Sequence, residues 1–403
     1  GDGWVDVYVT NHGPDALYRN RGDGTFEDVT EAAGIDNARW ACSATWVDVD
    51  GDGHLDLYVS NYVAWPAGKV CSDSAGRPEY CGPLASPPEP DVLYRNRGDG
   101  TFEDVTAAAG IADRPGRGLG VLAEDFDGDG RVDLFVANDG EANFLWINRG
   151  DGTFEESALA SGVAANAFGQ VEASMGVAAG DADGDGDLDL FMTHMMRETN
   201  TFYRNLGQGL FDDASGTSGL GPPSLPFTGF GTLFADLDLD GNLDLLVANG
   251  RIKQGRVDPS TVPGGTAEAV APYAERNQLF LGVGGGRFRE GLVAAGDLGR
   301  HVDVSRGLVV GDVDGDGDLD VLVTNCHGPA RLYRNDAPRR GRWLMVRPID
   351  PRHGGVVPFT TVTVEAGGRR FVRTGQPGGS YLSAGPAAVH VGLGPVERVD
   401  AVE

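Results

Sequence analysis

Residues 48–56 of this chain read Asp-Val-Asp-Gly-Asp-Gly-His-Leu-Asp, an acidic loop with carboxylates at its first, third, fifth and ninth positions. A remnant of the same loop, Gly-Asp-Gly-Trp-Val-Asp, occupies residues 1–6. Further copies with all four carboxylates lie at 125–133, 181–189, 236–244 and 312–320. Oxygen ligands at alternate positions suit a hard cation that takes six to eight oxygens, which favours calcium over magnesium. The repeat therefore predicts a series of calcium loops.

In each complete loop we expect four carboxylates and the backbone carbonyl of the seventh residue to bind one Ca²⁺ ion. Glycines allow the tight curvature, and the fourth copy departs from the pattern with Leu239. The predicted ligands are Asp48, Asp50, Asp52, His54 and Asp56; Asp125, Asp127, Asp129, Arg131 and Asp133; Asp181, Asp183, Asp185, Asp187 and Asp189; Asp236, Asp238, Asp240, Asn242 and Asp244; and Asp312, Asp314, Asp316, Asp318 and Asp320. The remnant keeps only Asp2 and Asp6, so it predicts a weak or partial sixth site.

An EF-hand is the first alternative, and it needs a glutamate at position twelve between two helices. Position twelve is instead apolar, at Val59, Val136, Met192, Val247 and Val323. Each of these residues lies in a short run of aliphatic and aromatic residues, which predicts a strand. A metal-free acidic turn is the second alternative. Clustered carboxylates repel one another at ~4–6 Å, so recurrence of the full set favours bound metal.

The spacing of the loops predicts a β-propeller. Their first aspartates are 77, 56, 55 and 76 residues apart, and the two long steps contain insertions at roughly 62–91 and 250–275. A second marker, Leu-Tyr-Arg-Asn-Arg-Gly-Asp-Gly-Thr-Phe, occurs at 17–26 and 93–102 and in degenerate forms later, and it reads as a hairpin. Each unit thus supplies four strands. We predict an all-β fold with six readable units, in a six- or seven-bladed propeller that lacks strands from a longer protein.

Composition limits the classes of function. The formal net charge of -28 disfavours nucleic-acid binding, and no apolar run of 18 residues predicts a membrane span. No nucleophile elbow, zinc-protease motif or phosphate loop is present, so we predict no catalytic residues. Propeller enzymes can scatter their catalytic residues over several blades, so catalysis stays an alternative.

The loops resemble FG-GAP/VCBS repeats, which form the blades of integrin alpha-subunit propellers. Five segments are more specifically similar to the ASPIC/UnbV family, at 39–50, 80–83, 174–181, 305–312 and 341–403. The resemblance implies a propeller at 1–336 and a small, shortened β domain at 337–403. It also implies an extracellular calcium-binding protein without a defined reaction. One branch is associated with enediyne biosynthesis clusters, which gives the alternative of an accessory role in natural-product assembly.

Cysteine and asparagine positions give further predictions. Cys71 and Cys81 favour a disulfide that staples the first insertion, with free thiols or a metal pair as alternatives. Cys42 and Cys326 are expected to be buried free thiols. In each unit, the position just after the strand that leaves the acidic loop is polar. For these residues we favour turn capping over a ring of polar side chains around a central channel. These residues are Asn11, Asn61, Asn138, His194, Asn249 and Asn325.

Two further patterns favour structural interpretations. Met192, Met195 and Met196 surround His194, and Cys326 precedes His327, but packing is favoured over a copper site. Arg-Gly-Asp occurs at 21–23, 97–99 and 149–151. Because it recurs at one position of the hairpin, a turn is favoured over an integrin-binding motif.

We therefore predict a secreted or periplasmic, monomeric, calcium-binding propeller that binds an extracellular protein or glycan through one face and its two insertions. The alternative is an enzyme or biosynthetic accessory protein with a site in the central channel. That site would lie near His12, Asp139, His194 and His327.

Overall fold

A computed structural model of the chain shows an all-β protein, which confirms the predicted fold class. The structure describes residues 2–66, 68–72, 76–254, 271–292, 294–326, 328–351 and 354–403.

Six antiparallel sheets follow one another along the chain, and neighbouring strands of each are joined in the order of the sequence. The first sheet has β1 Val7–Val9, β2 Ala16–Asn20 and β3 Phe26–Asp28. The second has β4 Ala41–Val47, β5 Asp56–Asn61, β8 Val92–Asn96 and β9 Phe102–Asp104, with a separate small hairpin of β6 Cys71–Ser72 and β7 Pro78–Glu79 between them. The third has β10 Gly118–Glu124, β11 Asp133–Asn138, β12 Phe144–Asn148 and β13 Phe154–Glu156.

The remaining repeat units have the same plan. The fourth sheet has β14 Val177–Gly180, β15 Asp189–Met192, β16 Thr201–Asn205 and β17 Phe211–Asp213. The fifth has β18 Gly229–Ala235, β19 Asp244–Asn249, β21 Gln278–Gly282 and β22 Phe288–Glu290. Next to it, β20 Glu275–Arg276 pairs with β23 Val302–Asp303. The sixth sheet has β24 Ser305–Gly311, β25 Asp320–Asn325 and β26 Arg331–Tyr333.

The acidic loops join the first and second strands of the second to sixth sheets, which places all five loops at one end of the sheets. In the second sheet, Trp46 of β4 pairs with Leu57 of β5 across the loop. Gly51 and Gly53 have φ angles of 74° and 86°, a left-handed conformation that favours glycine. The strand after the loop is fully buried in the second, third, fourth and fifth sheets because it lies between two neighbouring strands and two neighbouring sheets.

Successive sheets pack face to face. One core contains Val47 and Tyr58 of the second sheet together with Val121 and Trp146 of the third. Comparable cores join the first sheet to the second, the third to the fourth, the fourth to the fifth and the fifth to the sixth. Each repeat therefore buries its apolar faces against its neighbours, as expected of propeller blades.

Residues 337–403 form two small sheets with a core of their own. β27 Arg342–Val346 pairs with β30 Val389–Gly394, and β28 Thr361–Ala366 lies between β29 Arg369–Thr374 and β31 Val399–Val402. The core contains Val364, Phe371 and Val391, with Leu344 and Val399 at its border.

The segment between β29 and β30 folds back on itself, with a hydrogen bond from Gly385 N to Pro377 O. We call it the hairpin, although β29 and β30 lie in different sheets. It reaches the first strands of five sheets. Gln376 donates to Ala123 O of β10 at 3.2 Å, and Ser380 forms an antiparallel bridge with Val177 of β14. The Ser380 hydroxyl accepts a hydrogen bond from Thr232 N of β18 and donates to Leu308 O of β24. A Cβ added to Gly378 would meet Thr45 of β4. These five strands therefore surround the hairpin. Such a radial arrangement is compatible with a β-propeller in which the hairpin fills the centre.

Helices are few and short. They are α1 Ala158–Ser161, α2 Ser215–Ser218, α3 Gly221–Ser224 and α4 Gly296–Arg300, with 3-10 turns at Pro83–Ala85 and Ala271–Tyr273. In the described part of the chain, no helix has the length and apolar character needed to cross a membrane.

Candidate metal loops and the opposite face

The acidic loops bring carboxylate oxygens together in five groups. Within each group, oxygens from three aspartates lie within 4.8 Å of one another. The groups are Asp48, Asp50 and Asp56; Asp125, Asp127 and Asp133; Asp181, Asp183 and Asp185; Asp236, Asp238 and Asp244; and Asp312, Asp314 and Asp316. Of the predicted carboxylate ligands, Asp52, Asp129, Asp189, Asp240 and Asp320 lie outside these compact groups.

Backbone amides shape each loop around its first aspartate. Asp48 accepts hydrogen bonds from the amides of Gly51, Asp52 and Gly53 at 2.8–3.2 Å. The ninth-position aspartate has a different role. Asp56 accepts from Val49 N at 2.9 Å and from Asn96 N at 2.8 Å, so one carboxylate joins the loop to the hairpin strand β8.

The donor set fits a calcium ion. Burial raises the pKa of four of the ninth-position carboxyls, to about 6 in Asp56, about 7 in Asp133 and about 8 in Asp189 and Asp244. The Oδ1 atom of Asp238 is buried and has no hydrogen-bond partner among the described residues. A divalent cation among these oxygens would supply the missing positive charge, and calcium prefers such all-oxygen sites.

The side chains at the seventh position do not join the carboxylate groups, in keeping with ligation through the carbonyl. Arg131 contacts Asp129 and donates to Asn148 O, and the His54 ring lies over Gly98 of the hairpin turn.

Leu239 in the fourth loop has a structural reason that the sequence does not reveal. It adopts a φ of 62° and is completely buried. Its carbonyl accepts a hydrogen bond from Gly394 N at 3.1 Å, at the end of β30. A leucine here packs this loop against the C-terminal sheets, which compensates for the left-handed backbone.

Sequence reasoning also missed the asparagine that ends the third strand. Asn148 Nδ2 donates to Val132 O of its own loop at 3.1 Å and to Val49 O of the preceding loop at 2.9 Å. Asn205 makes the equivalent pair of bonds to Leu188 and Phe126. These side chains tie neighbouring loops together. The Asn that recurs in the hairpin marker, replaced only by Gly282 in the fifth sheet, was the available signal.

Arginines from the C-terminal residues contact the loops of the fifth and sixth sheets. Arg339 Nε lies 2.8 Å from Asp318 Oδ2, and Arg340 Nε lies 3.1 Å from Asp238 Oδ2. Arg373 is buried, which lowers the pKa of its guanidinium, while Asp236 and Asp181 oppose that effect. The C-terminal residues therefore pack against the acidic loops of the fifth and sixth sheets.

The described residues predicted to surround a channel site lie at the opposite end, where Trp40 and Tyr62, with ring centroids 5.2 Å apart, connect His12 to Asp139. The ring of His12 lies 4.8 Å from that of Trp40, and Asp139 accepts a hydrogen bond from Tyr62 at 2.6 Å. His194 is buried with its Nε2 3.8 Å from Glu172, and burial lowers its pKa to about 4. His327 lies outside the described residues.

The polar residues after the loop strands make local hydrogen bonds, as turn capping predicts. Asn61 Nδ2 donates to Pro90 O at 2.8 Å, and Asn138 donates to Ala142 O at 2.8 Å. Asn11, Asn249 and Asn325 make equivalent bonds.

The Arg-Gly-Asp tripeptides are engaged within their turns. Asp23 accepts from the amide and hydroxyl of Thr25, and Arg21 lies 3.5 Å from Glu27. The tripeptides at 97–99 and 149–151 repeat this pattern, which favours a turn-forming role.

The cysteines and methionines fall into distinct environments. Cys71 and Cys81 form a disulfide with Cα atoms 5.1 Å apart, and Cys42 is a buried free thiol. Cys326 is exposed, so the prediction that it is buried is wrong. It directly follows β25, beyond the buried part of that strand. Met192 packs in an apolar core, as the packing interpretation predicts.

The FG-GAP-like repeat family matches residues 1–59, 76–136, 125–192 and 183–247, which together are more than half of the chain. The ASPIC and UnbV family matches residues 360–403. Cartilage acidic protein 1 of Mus musculus is 26% identical over 312 residues, which are 62% of this chain and 47% of that protein. The Homo sapiens protein is 26% identical over 62% of this chain and 46% of its own length. The chain thus spans about half the length of the curated relatives it matches.

Among solved structures, an Agrocybe aegerita lectin that recognises non-reducing terminal N-acetylglucosamine aligns with a TM-score of 0.41 and 17% identity, over 82% of this chain and 80% of the lectin. The exotype rhamnogalacturonan lyase YesX aligns with a TM-score of 0.37 and 16% identity, over 98% of this chain and 61% of the lyase. These likenesses are too weak to support a functional conclusion. The family matches do identify the chain: it belongs to the FG-GAP-like repeat family and ends in an ASPIC and UnbV segment.

Proposed function

We propose that the chain is an extracellular, calcium-stabilised binding module, composed of a propeller at 1–336 and a small β domain at 337–403. The single observation that carries this proposal is the structural difference between the two ends of the six sheets. At one end, the C-terminal residues pack against acidic loops. The hairpin between β29 and β30 fills the space between the first strands of the sheets. We assign the other end to the partner.

The end assigned to the partner displays aromatic residues from several repeat units. Trp40 makes edge contacts with Tyr62 and Trp65 at centroid distances of 5.2 and 5.7 Å. Tyr80 of the first insertion, 65% exposed, lies 5.6 Å from Tyr273 of the second. Aromatic residues supply large contact areas at low cost in conformational entropy. We call this surface, defined by Trp40, Tyr62, Trp65, Tyr80 and Tyr273, the aromatic face.

Secretion is supported by the disulfide between Cys71 and Cys81, because disulfides persist mainly in oxidising compartments. It closes a short loop within the first insertion, with a sequence separation of 10 residues between the two cysteines. Calcium binding is supported by the five carboxylate groups, whose mutual repulsion a divalent cation would remove. Because calcium would bind only the native state, it would stabilise the fold by mass action.

The enzyme or biosynthetic accessory alternative placed its site in the central channel. The hairpin around Ser380 occupies the space between the first strands, where such a site would lie. We therefore favour binding through the aromatic face, with a protein or a glycan as the partner and a monomer as the active form.

The test is binding by the calcium-loaded chain to arrays of extracellular proteins and glycans. A Trp40→Ala/Trp65→Ala double variant should lose the ligands that the wild type binds. A matched control is Leu206→Ala/Leu210→Ala, because these leucines are 58% and 50% exposed at a hairpin turn on the calcium-loop side. Equal binding by the folded tryptophan variant, or no ligand for the wild type, would contradict the proposal.

A further inference from the structure

Arg306, the second residue of β24, lies near the propeller axis, at the same end of the sheets as the aromatic face. Its Cζ lies 3.8 Å from the centroid of the Phe230 ring. Its Nη1 donates to Gly250 O at 2.9 Å and to Ser305 O at 2.8 Å. These contacts fix the position of the guanidinium group. Nη1 donates two hydrogen bonds, whereas Nη2 makes a single long contact of 3.4 Å with Arg251 O.

Other arginines near this end are paired with carboxylates. Arg251 lies 2.6 Å from Glu275, and Arg331 lies 2.6 Å from Asp303. Arg117, in another repeat unit, pairs with Glu141. Within the described residues, no carboxylate lies within 4 Å of Arg306, although the chain has 60 acidic residues against 32 basic ones.

A half-buried guanidinium without an anion is costly, since the charge loses hydration without a compensating partner. Glu275 of β20 interacts electrostatically with Arg306, but its oxygens accept hydrogen bonds from Arg251 Nε and Thr228 N. Among the described residues, the Nε–Nη2 edge of Arg306 has only the long contact with Arg251 O. A planar guanidinium edge matches a carboxylate with two parallel hydrogen bonds.

The residues around Arg306 indicate which kind of carboxylate ligand would bind there. The Tyr381 ring contacts Phe230 at 4.9 Å, and Tyr62 and Trp40 pack against the same cluster. Flat aromatic faces suit the C–H faces of sugar rings. Asp139 lies beside Tyr62 and can accept hydrogen bonds from hydroxyl groups, which a sugar carries in number.

We propose that Arg306 and the aromatic face bind a uronic-acid residue of an acidic oligosaccharide, with the guanidinium on the carboxylate and the rings beneath the sugar. This inference rests on the proposed function, because it names the ligand class of the same face. The net charge of -28 does not prevent it, since screening at 0.15 M salt confines charge effects to roughly 8 Å.

The test uses the calcium-loaded chain and a hexasaccharide of alternating glucuronate and N-acetylglucosamine, measured by titration calorimetry. The matched ligand is the same hexasaccharide with its carboxylates reduced to alcohols. Arg306→Gln should weaken binding of the acidic sugar at least tenfold and leave the reduced sugar unchanged. Arg276→Gln is the control, because Arg276 also lies over a phenylalanine ring, at 4.8 Å, but already pairs with Glu290.

A readout on the wild type covers the case in which Arg306→Gln fails to fold. Phenylglyoxal modifies accessible guanidinium groups, and the acidic hexasaccharide should protect Arg306 from it at least threefold by peptide mass spectrometry. The reduced sugar should give no protection.

Several results would overturn the inference. These are equal binding of both sugars, an unaffected Arg306→Gln variant, or equal binding of a glutamate-rich peptide of the same charge. If both sugars bind equally and Trp40→Ala/Trp65→Ala abolishes binding, the uronate inference fails while the proposed binding function stands. If no array ligand binds the wild type, the proposed function itself fails.

Discussion

The hydroxyl of Ser380 donates a hydrogen bond to the carbonyl of Leu308 at 2.9 Å, joining the tip of the C-terminal hairpin to the first strand of the sixth sheet. The same hydroxyl accepts from Thr232 N of the fifth sheet. One serine therefore links three parts of the chain that lie far apart in sequence. The hairpin acts as a central packing element of the propeller.

We expect Gly379→Ala to destabilise the protein through this hairpin. Gly379 has a φ of 90°, and a Cβ there would meet Leu122 Cδ2 at 2.7 Å. Gly100→Ala is the control, since Gly100 has a φ of 89° but no atom within 4 Å of the added Cβ. Both variants carry backbone strain of about 1 kcal/mol, and the clash should add about 1–3 kcal/mol to Gly379→Ala alone. Equal melting temperatures would show that the hairpin is loosely held.

The asparagine bridge between loops predicts a difference between two equivalent positions. The Nδ2 of buried Asn148 donates to carbonyls of two successive loops, whereas the Nδ2 of part-exposed Asn20 donates to Val5 O alone. Removing the Asn148 side chain leaves buried backbone groups unsatisfied, each at about 1–3 kcal/mol. Asn148→Ala should therefore lower the free energy of unfolding by about 2 kcal/mol more than Asn20→Ala. Denaturant titration with saturating calcium measures the difference, and equal losses would refute an inter-loop role.

Calcium content should follow the carboxylate groups. Asp238 has a buried oxygen without a partner, so Asp238→Asn removes a predicted ligand charge in the fourth loop. We expect the bound calcium, measured by plasma mass spectrometry after dialysis, to fall by one ion per chain. Asp2→Asn in the remnant loop is the control and should change nothing. Chelation should lower the melting temperature of the wild type, and an unchanged midpoint in excess EDTA would sink the structural-calcium proposal.

The buried imidazole of His194 predicts a pH effect. Burial lowers its pKa to about 4 in the folded chain, whereas an unfolded histidine takes up its proton near 6.5. The unfolded state therefore binds more protons between these values, and stability falls as pH drops from 6.5 towards 4. From pH 7 to pH 5 the wild type should lose about 2 kcal/mol relative to His194→Gln.

The measurement is denaturant unfolding of both proteins at the two pH values with saturating calcium. Comparing the pH-dependent difference cancels the packing change that His194→Gln introduces, as well as the titration of neighbours such as Glu172. A difference that does not change with pH would mean that His194 is already charged, or is hydrated, in the folded state.

The sequence by itself determined the features that depend on short spacings. Four carboxylates within nine residues specify an oxygen-rich loop, and apolar runs on both sides specify strands, because these patterns act within one turn and its flanking strands. The repeat distance then specifies blades that must stack to bury their faces. The Cys71–Cys81 bridge belongs to this group, since only ten residues separate its ends.

Only the tertiary structure decided how distant segments meet. Gln376 donates a hydrogen bond to Ala123 O, although 253 residues separate them in the sequence. The sequence around either residue does not predict that the hairpin lies between the first strands of the sheets. The buried Leu239 is explained by the C-terminal sheets packed over it, and the exposed Cys326 by its place just beyond a strand end. Arg306 shows the same limit. Its charge is visible in the sequence, but the absence of a nearby carboxylate depends on how the described parts of several blades pack around one axis.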